Sequence, residues 1–311
     1  MSEIAEIILT SGRAGVELAL FVLLPIMVVM LSTMRLLESW GILDRLAKLA
    51  APLLKPLGLP GLGVFAMIQV LFVSFAAPMA TLAIMDRGGT PRRQIAATLA
   101  LVLGMAQANV TYPMAAFGLD AVRTLSFSLV GGLIGAALTY HLFARSLPER
   151  EDSNDLEVPH KSAEDVKGVL AVINRAGAEA LRVATGSLPL LILALVVVNT
   201  MRSTGAMDGL VTLLAPVLGL VAIPEAFIMP IITKYIAGGT AMMAVTLDLV
   251  EEGLVTMDQV NKMAGLLISP YDVAGIAIII SAGPRVAQVL RPALLGGAAA
   301  ILVRSLLHAL V

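Results

Sequence analysis

Six stretches of this chain are long and apolar enough to cross a lipid bilayer, at about residues 17–35, 94–118, 124–144, 183–201, 259–282 and 290–310. A spanning helix needs about 20 predominantly apolar residues, because the bilayer core holds no water to satisfy an exposed backbone. Composition agrees. Of 311 residues, 58% are hydrophobic and 14% charged, against about 25% charged in a soluble domain. Too little polar surface remains to coat a water-soluble particle of this size. The expected fold is an all-α polytopic membrane protein, with the lipid bilayer as its surroundings.

The same numbers exclude other classes. The formal net charge is −1, so no basic stripe exists to hold nucleic acid. Cysteine is absent, which removes disulfides, thiolate metal sites and thiol nucleophiles. The three histidines, His141, His160 and His308, are scattered, and no metal site is expected. No HExxH, GxxxxGK[ST] or GxSxG run occurs, so an enzyme is not expected.

Four segments do not read as simple spans. Residues 1–13 carry two acids and no basic run, unlike a cleavable signal peptide, and predict a short amphipathic helix at the interface. Residues 146–172 are highly charged and predict a linker. Residues 61–85 are apolar but interrupted at Ser74–Pro78, and residues 224–247 are interrupted at Ala237–Thr240. Pro, Gly and small residues end or loosen helices. Both segments are expected to be re-entrant hairpins with their tips near the bilayer centre, a kinked spanning helix being the alternative.

The two halves align at an offset of 164. Leu24-Pro25 matches Leu188-Pro189, Gly41 matches Gly205, Asp44 matches Asp208, Ala51-Pro52 matches Ala215-Pro216 and Pro60 matches Pro224. Leu and Ala coincide cheaply in such a composition; Pro, Gly and Asp at one register do not. Further on, Gly89 meets Gly253 and Gly132 meets Gly296. The predicted organisation is a first repeat over 1–145, a charged cytoplasmic linker over 146–172 and a second repeat over 173–311. Many secondary transporters are built from such repeats.

Charge orients the halves. The connections around hairpin 61–85 hold Arg35, Arg45, Lys48, Lys55, Arg87, Arg92 and Arg93, whereas those around 224–247 hold Arg202 with Asp248, Glu251, Glu252 and Asp258. The positive-inside rule places the first set in the cytoplasm and the second outside. With three spans in each half, the repeats are predicted to be inverted, each contributing one broken hairpin toward the midplane.

The runs LAAPLLKPLGLPG and SFAAPMATLAIM, repeated as LLAPVLGLVAIPEAF and YIAGGTAMMAVTL, resemble the nucleoside-recognition, or Gate, domain family. That family includes ferrous-iron permeases, spore-maturation membrane proteins and relatives of concentrative nucleoside transporters. The resemblance implies a multi-pass protein of the bacterial inner (plasma) membrane. It bears on the fold more than on the substrate.

Ionisable and amide side chains inside a membrane are expensive and mark candidate function. Gln107, Asn109 and Thr111 lie mid-span in the first half, and Ser269, Tyr271 and Asp272 at the matching level of the second, beside Pro270. With the hairpin tips, this gives a candidate solute site formed by Ser74, Gln107, Asn109, Thr111, Gly238, Gly239, Thr240, Ser269, Tyr271 and Asp272. Gln69 lies near one tip. Asp272 and Lys234 form a candidate coupling or charge pair. Structural readings stand beside these: interhelical hydrogen bonds for the amides, and a buried ion pair for Asp272 and Lys234. The glycines 131, 132, 135, 296 and 297 are expected to allow close helix packing, and Trp40 to anchor at the interface.

The function expected is secondary transport of a small polar solute, nucleoside-like or another organic molecule. No cofactor is expected beyond a coupling H⁺ or Na⁺, and a homo-oligomer is compatible with the sequence. A non-transporting membrane scaffold and a metal-ion permease are the alternatives.

Overall fold

In the computed structural model of the protein, the structure describes residues 3–148, 168–206, 209, 212–213 and 223–311. Most of the expected linker, His160, Asp208 and the Ala215-Pro216 pair lie outside them. Every regular element among the described residues is helical.

The chain opens with α1 (Glu3–Glu17), which runs through a π-turn at Leu18–Leu23 directly into α2 (Leu24–Ser39). The expected short interfacial helix is thus the first part of one long rod. Nothing in TSGRAGVEL stops a helix, and the register change is absorbed by a wider turn instead of a break. Helix α3 (Ile42–Leu54) follows a left-handed Gly41 at φ 66°. Helices α4 (Gly61–Phe72) and α5 (Pro78–Arg87) form the first broken segment. Pro78 opens α5, where a missing N–H costs nothing, since the first amides of a helix have no intrahelical partner.

Next come α6 (Arg92–Gly104) and α7 (Ala108–Ala115), then α8 (Ala121–Leu138) with a closing π-turn at Thr139–Phe143. The 35-residue α9 (Val169–Ser203) packs along α1 and α2, and Arg35 of α2 pairs with Glu179 of α9 at 2.9 Å. At 1.5 Å per residue α9 is about 50 Å long, so the span expected at 183–201 is its C-terminal part.

The second broken segment is α10 (Ile228–Ala237) and α11 (Gly239–Glu251), joined at Gly238 with φ 89° and ψ 175°. That conformation is close to exclusive to glycine. Helix α12 (Met257–Leu267) starts on a capping box: Thr256 Oγ1 accepts from the Gln259 N–H, and Gln259 Oε1 accepts from the Thr256 N–H. Then follow α13 (Val273–Ile280), the short α14 (Pro284–Gln288) and α15 (Leu290–Ala309).

Two expected spans are broken. Residues 94–118 interrupt at Met105–Gln107, and residues 259–282 at Ile268–Asp272. Pro270 makes the second break readable, because it supplies no N–H. The first has a tertiary cause: the Ala106 N–H, unpaired by its helix, donates to Ser128 Oγ of α8 at 2.6 Å.

Among the described residues, Arg92–Ala115, Ala121–Phe143 and Leu290–Ala309 are long and apolar enough to cross a membrane; a fourth span results if the pair Lys48–Leu57 and Gly61–Phe72, bent by 105°, counts as one. The molecule is a multi-pass helical membrane protein. Its centre is the packing of α6, α8 and α15. Gly135 faces Gly296 so closely that a Cβ on it would stand 2.6 Å from the Gly296 carbonyl oxygen. Small residues spaced one turn apart bring membrane helices into such contact.

Candidate functional site

The first turn of α7 touches both the α4–α5 break and the α10–α11 break. On one side, the Asn109 carboxamide oxygen accepts the Phe75 N–H from the α4–α5 break at 3.3 Å. On the other, the Gln107 amide nitrogen rests against Gly239 in space that a Cβ there would occupy. Both amides are buried, as are Thr111, Lys234, Ser269 and Asp272.

Local structure explains how each is placed. Gln107 is the extended residue before α7, at φ −92° and ψ 131°, so its side chain leaves the helix axis. Ser74 stays in its own break, where its Oγ accepts the Ala77 N–H at 3.2 Å. Asp272 is the N-cap of α13: Oδ1 accepts the Gly275 N–H at 2.7 Å. An aspartate is favoured there because it satisfies one of the orphan amides. Its second oxygen, Oδ2, accepts from Lys234 Nζ of α10 at 2.6 Å, and the two side chains are 4% and 0% exposed. Lys234 Nζ also lies 3.5 Å from the Tyr271 carbonyl. A Cβ on Gly238 would sit 3.5 Å from Asp272 Oδ1.

A charged pair out of contact with water is costly unless its geometry is good and its remaining lone pairs are satisfied. Here each Asp272 oxygen has a donor. The pair ties α10, one turn before its break, to the break between α12 and α13.

The structure therefore brings Gln107, Lys234 and Asp272 to the α10–α11 break at Gly238 and Gly239, and Asn109 to the α4–α5 break. Other candidates do different things. The Gln69 side chain accepts from Thr81 Oγ1 at 2.7 Å and staples α4 to α5. Thr111 Oγ1 donates to the Gln107 carbonyl one turn back. Ser269 Oγ accepts the Tyr271 N–H at 3.4 Å within the second break. The Tyr271 hydroxyl donates to the Leu294 carbonyl and its ring packs on Gly297. Thr240 is half-buried in the first turn of α11.

Two contributors were not singled out from the sequence. Tyr112 of α7 donates its hydroxyl to the Leu71 carbonyl, near the end of α4. Arg304 of α15, fully buried, donates to the carbonyls that end α6 and α12. The available signal was a lone arginine inside the apolar run AAAILVRSLL. Among the described residues no three His, Asp or Glu side chains gather as a metal site would require.

Residues 20–139 match the Gate family, described as nucleoside recognition. No curated protein sequence matches the chain. Solved structures of the concentrative nucleoside transporter CNTnw share its fold. The inward-facing, substrate-bound CNTnw structure superposes with a TM-score of 0.71 at 17% identity, covering 99% of this chain and 83% of that one. Two outward-facing structures of CNTnw variants give TM-scores of 0.68 and 0.71 at 19% and 18% identity, each over 99% of this chain and 83% or 84% of theirs.

Proposed function

We propose, from a first half that matches the Gate family and a fold shared with CNTnw, that this chain is a secondary transporter of a nucleoside-like polar solute. The observation that carries this reading is the convergence of two helix breaks on the start of α7, where Asn109 meets one and Gln107 the other. Breaks expose backbone N–H and C=O groups that a polar ligand can use, and amide side chains add both donors and acceptors.

The chain comprises two inverted repeats, over 1–145 and 173–311, joined by the cytoplasmic linker 146–172. Supporting this, α4, α6 and α7 begin at residues 61, 92 and 108, while the helical segments starting at Glu225, Met257 and Val273 follow at an offset of about 164. The hairpin over α4 and α5 enters from the cytoplasm and the one over α10 and α11 from outside, in the bacterial inner membrane.

The solute site is lined by Gln107, Asn109 and the two breaks. Asp272 carries the coupling function: in the empty state it is neutralised by Lys234, and a proton or Na⁺ competes with that ammonium group. The observed pair shapes the test, because Asp272→Asn alone strands Lys234. The double variant Lys234→Met, Asp272→Asn removes the coupling carboxylate without leaving a buried unpaired charge.

Melting of the purified protein with uridine, thymidine, adenosine and guanosine tests solute binding. A ligand at about 100 times its Kd stabilises the native state by about 2.7 kcal/mol. At least one nucleoside should raise the melting temperature, and Gln107→Ala and Asn109→Ala should abolish that rise, weakening binding more than they weaken stability. No shift with any of the four would overturn the nucleoside reading.

A further inference from the structure

Arg304 is fully buried in α15 and takes no direct part in the site described above. Its guanidinium reaches two helix ends at once. Nη1 donates to the Gly104 carbonyl at 2.8 Å, and Nη2 donates to the Ile268 carbonyl at 2.9 Å and lies 3.5 Å from that of Ala264. Gly104 is the last residue of α6, and Ile268 caps the end of α12. These two carbonyls stand at equivalent positions of the two halves, at the offset of 164.

Glycines of α8 and α12 let Arg304 and its helix lie close to both. A Cβ on Gly131 of α8 would overlap Arg304 Cγ, and a Cβ on Gly265 of α12 would stand 2.6 Å from the Arg304 backbone. The charge is met by the last carbonyls of two half-helices, the negative ends of their dipoles. A planar fork with donors on several nitrogens can serve two carbonyl sets in fixed directions; an ammonium group cannot hold the same geometry.

Three residues after Gly104 comes Gln107, and four after Ile268 comes Asp272. We infer that Arg304 is a positioning residue: one guanidinium sets both helix breaks, and through them the placement of Gln107 and Asp272, without touching a ligand. The inference rests on Gln107 and Asp272 being site residues, but the brace itself can be read without any solute.

The test is hydrogen–deuterium exchange of the full chain in lipid nanodiscs, comparing wild type, Arg304→Met and Arg304→Lys. Hydrogen bonds to a charged group hold more strongly than neutral ones. In Arg304→Met, amides of 105–109 and of 268–273 should both exchange about tenfold faster, while those in the middle of α8 and α15 keep wild-type rates. In Arg304→Lys at least one break should loosen, and this variant decides by itself if the Met variant does not insert. Wild-type exchange at both breaks in the Lys variant, an unaffected break in the Met variant, or acceleration spread evenly over all helices would overturn the proposal. Failure here with nucleoside binding intact removes only the brace; intact brace behaviour without any nucleoside shift removes only the transport reading.

Discussion

Two neighbouring glycines at one break carry different constraints. Gly238 holds φ 89° and ψ 175° with room for a methyl group, whereas a Cβ on Gly239 would collide with the end of the Gln107 side chain. Gly238→Ala should therefore cost about 1–3 kcal/mol through backbone strain, seen as a lower melting temperature. Gly239→Ala displaces the Gln107 side chain and presses on Val110 Cγ2 at 2.9 Å, and should weaken nucleoside binding more than Gly238→Ala does. Equal effects of the two on binding would contradict this assignment. The Lys234–Asp272 pair gives a second contrast. Removing either partner of a buried pair leaves an uncompensated charge and costs about 3–5 kcal/mol. Asp272→Asn, which can keep the cap on the Gly275 N–H, or Lys234→Met alone should melt well below wild type, and the double variant Lys234→Met, Asp272→Asn should recover most of the loss. Additive losses in the double variant would show that the two charges do not act as a pair.

Among elements, the helix breaks divide by cause. Those at Ser74–Pro78, at Gly238 and at Pro270 are legible because Pro and Gly impose them locally. The break at Met105–Gln107 is not, because no residue there forbids a helix; Ser128 of α8 and Arg304 of α15 reward the opening from outside the segment. For the same reason Gln107 and Asn109 were recognisable as site candidates by their polarity, while Arg304 became meaningful only once α6 and α12 were seen to end beside it. Gln69, a candidate by the same polarity rule, accepts from Thr81 and links α4 to α5. The glycines 135 and 296, expected to allow close helix packing, lie where α8 meets α15. Gly135→Leu should force these helices apart, since the obstacle is the Gly296 backbone, and cost about 1–3 kcal/mol or more. Gly177→Ala on α9, where nothing lies within 4 Å, is the control. Melting or detergent resistance of the two variants checks this; similar values would contradict the packing.

At the scale of the whole molecule, the proposed inverted repeats can be tested by sidedness. The chain lacks cysteine, so single cysteines at Gly88 and at Gly253 can report sidedness. An impermeant thiol reagent applied to intact cells should label position 253 and leave position 88 unlabelled until the membrane is opened. Labelling of both from the same side would remove the inverted arrangement. Transport itself is measured by uptake of radiolabelled uridine and adenosine into sealed proteoliposomes under an imposed H⁺ or Na⁺ gradient. Saturable accumulation of at least one nucleoside above its external concentration is expected, lost when the gradient is collapsed and in the Lys234→Met, Asp272→Asn variant. Uptake no greater than in protein-free liposomes, with correctly inserted protein and under either gradient, would contradict the transport reading.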